Sequence, residues 1–249
     1  GVFTMSLMKE LVKGKVKTVY AVDDVNRVMV MYHDKVTAGN GEKEDNPSGK
    51  GEINCQISGI LFNLIKGSTI RTHHLDTVGP TMLCKKVDIV PIEVVVRNIA
   101  SGSIVRQTTI EEGTVFSTPL IEFYLKDDDK NDPLLTSRRL ELMGYDLDKD
   151  IKPLEEMAYD VNVKLKMIFK KIGLTLVDFK LEFGYDADGN LLLADELSPD
   201  GMRLWKEGTQ ESMDKDLFRK GDGDIVKAYR EILEALNKLV LSTNNDCTD

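Results

Sequence analysis

The sequence has few of the residues that characterise disulfide-rich, zinc-binding and membrane proteins. Its 249 residues include 3 cysteines and 1 tryptophan. Cys55, Cys84 and Cys247 are widely spaced and form no C-x-x-C pair, which indicates free thiols in a reducing compartment. No apolar run approaches the roughly 18 residues of a membrane span, and the first residues lack the apolar stretch of a secretion signal. We therefore expect a cytoplasmic protein with no membrane partner.

Positive charge is scarce as well. Lysine and arginine number 33 against 42 aspartates and glutamates, which gives a formal net charge of −9. Binding to nucleic acid requires a basic surface, so we expect no nucleic-acid partner. If the ligands are anions, the cations that bind them must be gathered at one place, because the average field of the protein repels anions.

The common phosphate and calcium motifs are also missing. Gly49-Lys50 lacks the earlier glycine and the following hydroxyl residue of a Walker loop, and the glycines of residues 39–41 have no third partner. Residues 127–138 begin like a calcium-binding loop but lack its central glycine and its closing glutamate. Because these motifs are missing, any nucleotide site must be inferred from other features of the sequence.

Apolar residues at helical spacing predict three helices. The first covers Ile53–Ile65 and is ended by Gly67. The clearest covers Pro153–Ile172, where proline suits the first helical position and Gly173 suits the end. A third covers about Ile225–Val240.

Strands are predicted between these helices. Val12–Tyr32 is typical of a hairpin or two strands with a turn at Gly14, and Met82–Arg97 is strand-rich and broken by Pro91. The order of elements indicates an α+β chain with two lobes and a polar end. We predict a β-rich N-terminal lobe, a larger mixed α/β C-terminal lobe and a disordered tail, covering residues 1–88, 89–241 and 242–249 respectively.

A predicted hairpin brings two acids together. Leu176–Gly184 alternates strictly between apolar and polar residues, and Asp188-Gly189 followed by Leu191–Ala194 predicts a two-residue turn and a second strand. In that register the residue numbers of two paired positions add up to 377, so Glu182 faces Asp195. Such a pair is either well solvated or held by a divalent cation, of which magnesium is the one most often bound by carboxylates and substrate phosphates. The hairpin alone leaves both interpretations open.

Two further segments carry groups suited to anions. A strand that places Glu93, Val95 and Arg97 on one side runs into the small-residue turn 98–103. This segment is either an anion cradle or an ordinary strand-to-helix connection in which Glu93 and Arg97 form a structural ion pair.

Lys13, Lys15 and Lys17 alternate around Gly14 and share one side of an extended segment. Three ammonium groups so placed suit a polyphosphate. Lysine-rich strand faces also protect sheet edges from aggregation, so this pattern needs a partner to be interpreted.

Longer blocks resemble one family over nearly the whole chain. IVPIEVVVRNIASGS (89–103), LVDFKLEFG (176–184) and DELSPDGMRLW (195–205) closely resemble SAICAR synthetase, the phosphoribosylaminoimidazole-succinocarboxamide synthase family. The resemblance implies a two-lobed fold related to ATP-grasp enzymes, with ATP between the lobes. It also implies an ATP-dependent ligase that joins L-aspartate to the carboxylate of carboxyaminoimidazole ribonucleotide.

The resemblance also implies roles for single residues. The implied magnesium ligands are Glu182 and Asp195. The implied contacts of ATP are Lys15, Lys17, Val19, Val87, Ile89 and Lys126. The implied ribonucleotide site consists of Arg97, Ser103, Asp178 and Arg203. The implied catalytic groups are Lys180, Arg97 and Asp178, the last as a candidate base. The implied aspartate contacts are Lys215 and Arg219, with residues 37–41 closing over them.

Two positions depart from the family pattern. Lys206 follows Trp205 where the family usually has aspartate, and Lys43 follows Glu42 where a second basic residue is common. Neither is a proposed metal ligand or carboxylate-activating group. Two other functions compete with the ligase, namely a small-molecule kinase of the same two-lobed fold and a non-catalytic nucleotide-binding protein. We also expect a homo-oligomer, most simply a dimer.

Overall fold

The computed structural model describes residues 8–246, which form two main sheets and six helices. The strands are β1 (Glu10–Lys13), β2 (Lys17–Ala21), β3 (Arg27–Tyr32), β4 (Val36–Ala38), β5 (Lys43–Asp45), β6 (His74–Val78), β7 (Thr81–Lys85), β8 (Asp88–Ile89), β9 (Ile92–Ile99), β10 (Val115–Leu125), β11 (Leu134–Leu135), β12 (Leu174–Tyr185), β13 (Leu191–Ala194) and β14 (Met202–Lys206). The helices are α1 (Lys50–Ile65), α2 (Ser103–Gln107), α3 (Ser137–Leu142), α4 (Lys152–Lys171), α5 (Asp216–Arg219) and α6 (Ile225–Asp246).

The first sheet contains strands from the first part of the chain, and the second sheet contains the strands that follow. The first has five strands in the order β1-β2-β3-β7-β6, all antiparallel. The second has seven, in the order β11-β10-β9-β12-β13, with β14 and β8 also paired to β12. Strands β4 and β5 form a separate small hairpin. Strand β12 is therefore the hub of the second sheet, because it pairs with four different strands.

The predicted helices form because each has one apolar side to bury. In α4 the residues at helical spacing, Leu154, Ala158, Val161, Leu165 and Phe169, are fully buried, and the helix packs on β12 and β9. Burying a large apolar side chain stabilises a fold by about 1.5–3 kcal/mol, so this stripe holds α4 to the sheet. Helix α1 packs in the same way against β6 and against α6.

The α+β prediction is confirmed, and so are the predicted helices apart from the end of the last one. Helix α6 continues through Asp246, so residues 242–246 are helical where a disordered tail was expected. One connected apolar core includes residues of both sheets, such as Met82 and Phe179. The division into lobes at residue 88 stays a prediction, since strand pairing identifies sheets and not separate folding units.

Cys55 and Cys84 are free, as predicted, and both are buried, whereas Cys247 lies outside the described residues. Burial raises the thiol pKa of Cys55 to about 12, which suits a packing role and not a nucleophile. Over residues 8–246, no helix combines the length and the apolar content needed to cross a membrane.

Candidate active site

Three polar side chains alternate along one face of β12. Asp178, Lys180 and Glu182 occupy every second position of the strand and therefore point to the same side. Asp178 and Glu182 are buried, while Lys180 is partly exposed. A strand rises about 3.4 Å per residue, so the first and last of these positions lie about 13 Å apart. This face is long enough to serve two ligands side by side.

At one end of this face two arginines flank Asp178. The strand register pairs Asp178 with Arg97 of β9 on one side and with Arg203 of β14 on the other. Arg203 Nη1 donates to Asp178 Oδ2 at 3.1 Å, and Arg97 Nη1 donates to the same oxygen at 3.5 Å. Burial raises the pKa of the Asp178 carboxyl, and the two guanidinium groups oppose that rise. Three adjacent strands thus hold a row of alternating charge.

Arg97 also closes the turn that follows its own strand. It donates from Nε to Glu122 at 2.7 Å, from Nη1 to the carbonyl oxygen of Ser101 at 3.1 Å and from Nη2 to Ser103 Oγ at 2.9 Å. The guanidinium is nearly buried, at 4% side-chain exposure. The turn therefore wraps around a fixed cation, and its role as an anion cradle stays a prediction.

The ion pair of the alternative interpretation, between Glu93 and Arg97, is not formed, although the turn does connect strand β9 to helix α2. Val95 faces Lys180 across the strands, and Glu93 lies two positions before Val95 on the same side of β9. The Glu93 carboxylate is therefore 3.3 Å from Lys180 Nζ. Burial alone lowers the pKa of Lys180, but Glu182, Asp195 and Glu93 together raise it. Lys180 therefore carries a positive charge between the two ends of the β12 face.

Gly102 lets Arg203 approach the cradle. Its backbone has φ 72° and ψ −135°, a combination that side-chain-bearing residues rarely adopt. A Cβ atom at this position would lie 2.6 Å from both terminal nitrogens of Arg203. Only glycine allows the guanidinium to pack flat against the turn.

The acidic pair lies at the other end of the β12 face, but not in the predicted register. The residue numbers of the observed pairs add up to 376 and not 377, so Glu182 faces Ala194. The connection between the strands covers the five residues 186–190. Asp186 makes the difference, because its side chain accepts hydrogen bonds from the backbone of Asp188 and Asn190 and builds a wider turn.

Asp195 still reaches the site of Glu182. Its backbone is left-handed, with φ 57°, so β13 ends there and the strict alternation of a strand no longer applies. Both carboxylates line the same cleft. Burial and the charge of Asp195 raise the pKa of Glu182, whereas Lys17 holds the pKa of Asp195 low despite its burial. The two acids thus lie in one cleft through a geometry that the sequence did not reveal, and their role as metal ligands stays a prediction.

Lysines from separate elements neutralise this acidic pair. Lys17 of β2 forms ion pairs with Asp195 and, at 2.9 Å, with Glu196. Lys126, just after β10, forms an ion pair with Glu182. The first sheet therefore contacts the second through charge at the base of the cleft.

The cleft has a volume of about 1070 Å³. Of the predicted site residues, those in its lining are Lys15, Lys17, Lys126, Lys180, Glu182, Asp195, Lys215 and Arg219. The row of Arg97, Asp178 and Arg203, with Ser103, lies beside this lining and is joined to it along β12. The structure therefore brings eight of the predicted residues into the cleft lining, and Asp178 links Arg97, Arg203 and Ser103 to it through the shared face of β12.

The predicted aspartate contacts lie opposite the β4–β5 hairpin. Thr37, Gly39 and Asn40 line the cleft along with Lys215 and Arg219. Burial lowers the pKa of Lys215 to about 8.

Lys43, one of the departures from the family pattern, joins the hairpin to α5 by donating to the carbonyl oxygen of Phe218 at 2.5 Å. Lys206, the other departure, forms an exposed ion pair with Glu211 at 2.8 Å. Both departures therefore affect loop contacts and leave the charged face of β12 unchanged.

The predicted adenine contacts fall outside the main lining. Val87 packs against Gly184, where a Cβ atom would lie 2.9 Å from Val87 Cβ, and Ile89 pairs with the same glycine. Ile89 is 41% exposed. Val19, on β2, is half-buried and packs on the core. An adenine pocket made by these residues stays a prediction.

Comparison with known proteins identifies the family. Residues 10–236 match SAICAR synthetase. A phosphoribosylaminoimidazole-succinocarboxamide synthase of Bacillus subtilis is 44% identical over 93% of this chain and 98% of its own length, and one of Staphylococcus carnosus is 43% identical over 93% and 100%. A solved SAICAR synthetase in complex with ADP is 40% identical, covers 92% of this chain and 97% of its own, and has a TM-score of 0.87. The corresponding enzyme of Ehrlichia chaffeensis is 35% identical, covers 92% and 98%, and has a TM-score of 0.88.

The chain belongs to the SAICAR synthetase family. This membership agrees with the resemblance of the blocks around residues 89–103 and 176–205, which contribute the two ends of the β12 face. The α+β fold of the chain is that of the solved SAICAR synthetases.

Several charged residues of this synthetase-family site were missed from the sequence. Glu196 pairs with Lys17, and Glu122 holds Arg97. Lys50, only 1% exposed, pairs with Asp200 at 2.6 Å, and Asp200 lines the cleft. Their partners lie between 25 and 179 positions away in the chain, so no local pattern indicates these contacts.

The acidic pair fits a magnesium ion whose other ligands include oxygens of the substrate. Within residues 8–246, no three His, Cys, Asp or Glu side chains are arranged around a common metal position. Glu182 Oε1 is buried, and beyond its ion pair with Lys126 it receives no well-directed hydrogen bond among the described residues. Magnesium is commonly held by one or two carboxylates together with nucleotide phosphates. Glu182 and Asp195 therefore fit a metal that arrives with the nucleotide.

Proposed function

We propose that the protein joins L-aspartate to the carboxylate of carboxyaminoimidazole ribonucleotide, with ATP converted to ADP and phosphate. The observation that carries this proposal is the β12 face, which presents an arginine-flanked cradle, a lysine and a coupled acidic pair in that order. Family membership supplies the reaction, and the geometry supplies the order of the ligands along the strand.

The nucleotide end of the site is assigned to the lysines and the acidic pair. Lys15, Lys17 and Lys126 would contact the phosphates of ATP, and Glu182 and Asp195 would hold magnesium. The metal would supply charge neutralisation for the phosphate oxygens. Val19, Val87 and Ile89 would surround the adenine.

The ribonucleotide end is assigned to the cradle. Arg97, Ser103 and Arg203 present donors suited to phosphate or carboxylate. Asp178 accepts from both guanidinium groups. Both of its carboxylate oxygens are thereby occupied, so we assign Asp178 to orienting the arginines and the ribonucleotide rather than to removing a proton.

Lys180 lies between the two ends, where the chemistry would occur. A carboxylate oxygen of the ribonucleotide attacks the γ-phosphorus of ATP, forming a carbon–oxygen–phosphorus linkage, and the bond to the β-phosphate oxygen breaks to release ADP. The charged Lys180 would hold the attacking carboxylate in line and neutralise the transferred phosphoryl group. The neutral amine of aspartate then attacks the activated carbonyl carbon and expels inorganic phosphate, and the proton that the nitrogen loses passes to the departing phosphate.

The aspartate carboxylates are assigned to Lys215 and Arg219, beneath the hairpin that carries residues 37–41. Both cations lie in the cleft lining near the acidic pair. A cytoplasmic location and a homo-oligomeric state stay predictions.

The reaction is tested by measuring ADP release while each substrate is omitted in turn. We expect ADP release to need both the ribonucleotide and L-aspartate, and mass spectrometry to detect the succinocarboxamide ribonucleotide. Equal ADP release without the ribonucleotide would refute the ligase, and a phosphorylated alcohol as product would establish the kinase instead. Glu182→Gln should abolish turnover, whereas Glu211→Gln, on the exposed loop, serves as the matched control.

A further inference from the structure

One buried carboxylate joins the cradle to the main cleft. Asp216, the first residue of α5, is 3% exposed. Its Oδ2 atom accepts a hydrogen bond from Arg203 Nε at 3.0 Å, and its Oδ1 atom accepts one from Arg219 Nη1 at 2.8 Å. Each oxygen therefore serves a different arginine, and these arginines belong to different parts of the site.

Asp216 completes a chain of alternating charges. Arg97, Asp178, Arg203, Asp216 and Arg219 follow one another, and each successive ion pair is between 2.8 and 3.5 Å long. The members come from β9, β12, β14 and α5, so the chain crosses the second sheet and reaches the cleft. Hydrogen-bonded charges at low dielectric strengthen one another, so a shift at one end changes the best geometry at the other.

The two arginines need this shared partner. Burial raises the pKa of Asp216, but Arg203 and Arg219 outweigh it and hold the pKa below its usual value. The carboxylate is therefore ionised and acceptor-only, with one oxygen for each guanidinium. Without it, Arg203 would keep Asp178 as a partner, whereas Arg219 would lose its only ion pair among the described residues.

We propose that Asp216 is a positioning residue that aligns Arg203 for the ribonucleotide and Arg219 for aspartate, and so couples the two sites. The proposal rests on the proposed function, which places the two substrates at these arginines. None of the roles implied by the family resemblance falls on Asp216. The residue touches neither substrate in this scheme and acts through the two guanidinium groups.

The first test is Asp216→Asn. The asparagine side chain keeps one acceptor oxygen, but its NH2 group is a donor and faces the other arginine. One guanidinium therefore loses its hydrogen-bond acceptor. We expect the KM values for the ribonucleotide and for L-aspartate each to rise about tenfold, the size expected for one charge-assisted hydrogen bond. The KM for ATP should stay within twofold.

Asp214→Asn is the matched control. Asp214 is a buried carboxylate of the same loop, and it accepts only from backbone N–H groups, those of Leu204 and Asp216, each at 2.7 Å. We expect this variant to lower the melting temperature and to leave both KM values within twofold. A purely structural role for Asp216 would give the same pattern in Asp216→Asn, so unchanged KM values in a folded Asp216→Asn protein would overturn the proposal.

A second variant decides the matter if Asp216→Asn does not fold. Arg219 is 35% exposed, so Arg219→Gln should be tolerated. Its loss should raise the KM for aspartate directly, and it should also raise the KM for the ribonucleotide severalfold, through Asp216 and Arg203. A change confined to aspartate would overturn the coupling. Absence of ribonucleotide-dependent ADP release in the unmodified protein would instead refute the proposed function, before any variant is compared.

Discussion

Replacing Gly102 with alanine tests the cradle, because the new methyl group would collide with Arg203. The added Cβ would lie 2.6 Å from both terminal nitrogens and 2.7 Å from Cζ, against an ordinary separation of about 3.5–4.0 Å. Arg203 cannot simply withdraw, since Asp178 holds it at 3.1 Å and Asp216 at 3.0 Å. The guanidinium must therefore move by about 1 Å, and one charge-assisted hydrogen bond, of about 1.5–3 kcal/mol, is lost.

The expected kinetic effect of Gly102→Ala follows from that loss. At about 1.4 kcal/mol per factor of ten, the KM for the ribonucleotide should rise about 10- to 150-fold, and the KM for ATP should not change. The φ of 72° adds a strain of about 1–3 kcal/mol, which would appear as lower stability in urea unfolding.

Gly208→Ala separates the collision from the strain. Gly208 has a similar φ of 74°, but a methyl group added there would meet no atom of the described residues within 4 Å, its two chain neighbours aside. This variant should lose stability through its positive φ alone and keep the KM for the ribonucleotide. A folded Gly102→Ala protein whose KM for the ribonucleotide stays within twofold would show that Arg203 is not needed at the cradle.

Three further predictions concern buried polar groups. Asn162→Ala should lower the free energy of unfolding by about 1–3 kcal/mol without changing any KM, because it removes two hydrogen bonds to Asn98, at 2.8 and 3.0 Å, beneath the cradle. Burial raises the pKa of Asp214 from 3.8 to about 7, so the folded state binds more protons than the unfolded state between these values. Asp214 should therefore make stability fall as pH rises through this window, by at most about 1.4 kcal/mol per pH unit. A shallower fall in Asp214→Asn than in the unmodified protein, measured by urea unfolding, would confirm the cause. Lys50→Met should cost up to about 3–5 kcal/mol by leaving the partly buried Asp200 without its ion pair, and a milder loss in the double variant with Asp200→Asn would locate the effect in that pair.

Local patterns predicted the elements that depend on local physics. Helix α4 begins and ends where proline and glycine indicate, and its apolar stripe is the one that is buried. The alternation of residues 176–184 placed Asp178, Lys180 and Glu182 on one face, and the structure has them there. Periodicity suffices in these cases because each side chain's direction follows from its position in one element.

Register and long-range pairing could not be predicted in this way. The Asp188-Gly189 dipeptide favours a two-residue turn, but the Asp186 side chain binds backbone amides of the connection, which widens it and shifts the register by one. Asp195 reaches Glu182 only because its own backbone is left-handed. The Asp216 contacts depend on α5 packing beside β14, which no pattern in residues 213–219 indicates.

The burial of each ion pair determines what substrate binding can change. Lys15 and Asp128 form a pair of 3.0 Å with side chains 50% and 62% exposed, and such pairs contribute at most about 1 kcal/mol. A triphosphate can therefore replace Asp128 at little cost. Arg97 and Asp178 are 4% and 6% exposed, and separating them would leave a buried charge unpaired, at a cost of several kcal/mol.

Those inner pairs must consequently persist when a substrate binds. Protein acceptors already occupy the donors of Arg97, whereas Arg203 donates to Asp178 and Asp216 through Nη1 and Nε only. The ribonucleotide is then left to use the Nη2 group of Arg203, so the inner carboxylates set the direction in which that guanidinium faces. An acidic protein can in this way present fixed cations to anionic substrates without a basic surface, since a buried carboxylate already neutralises each buried cation.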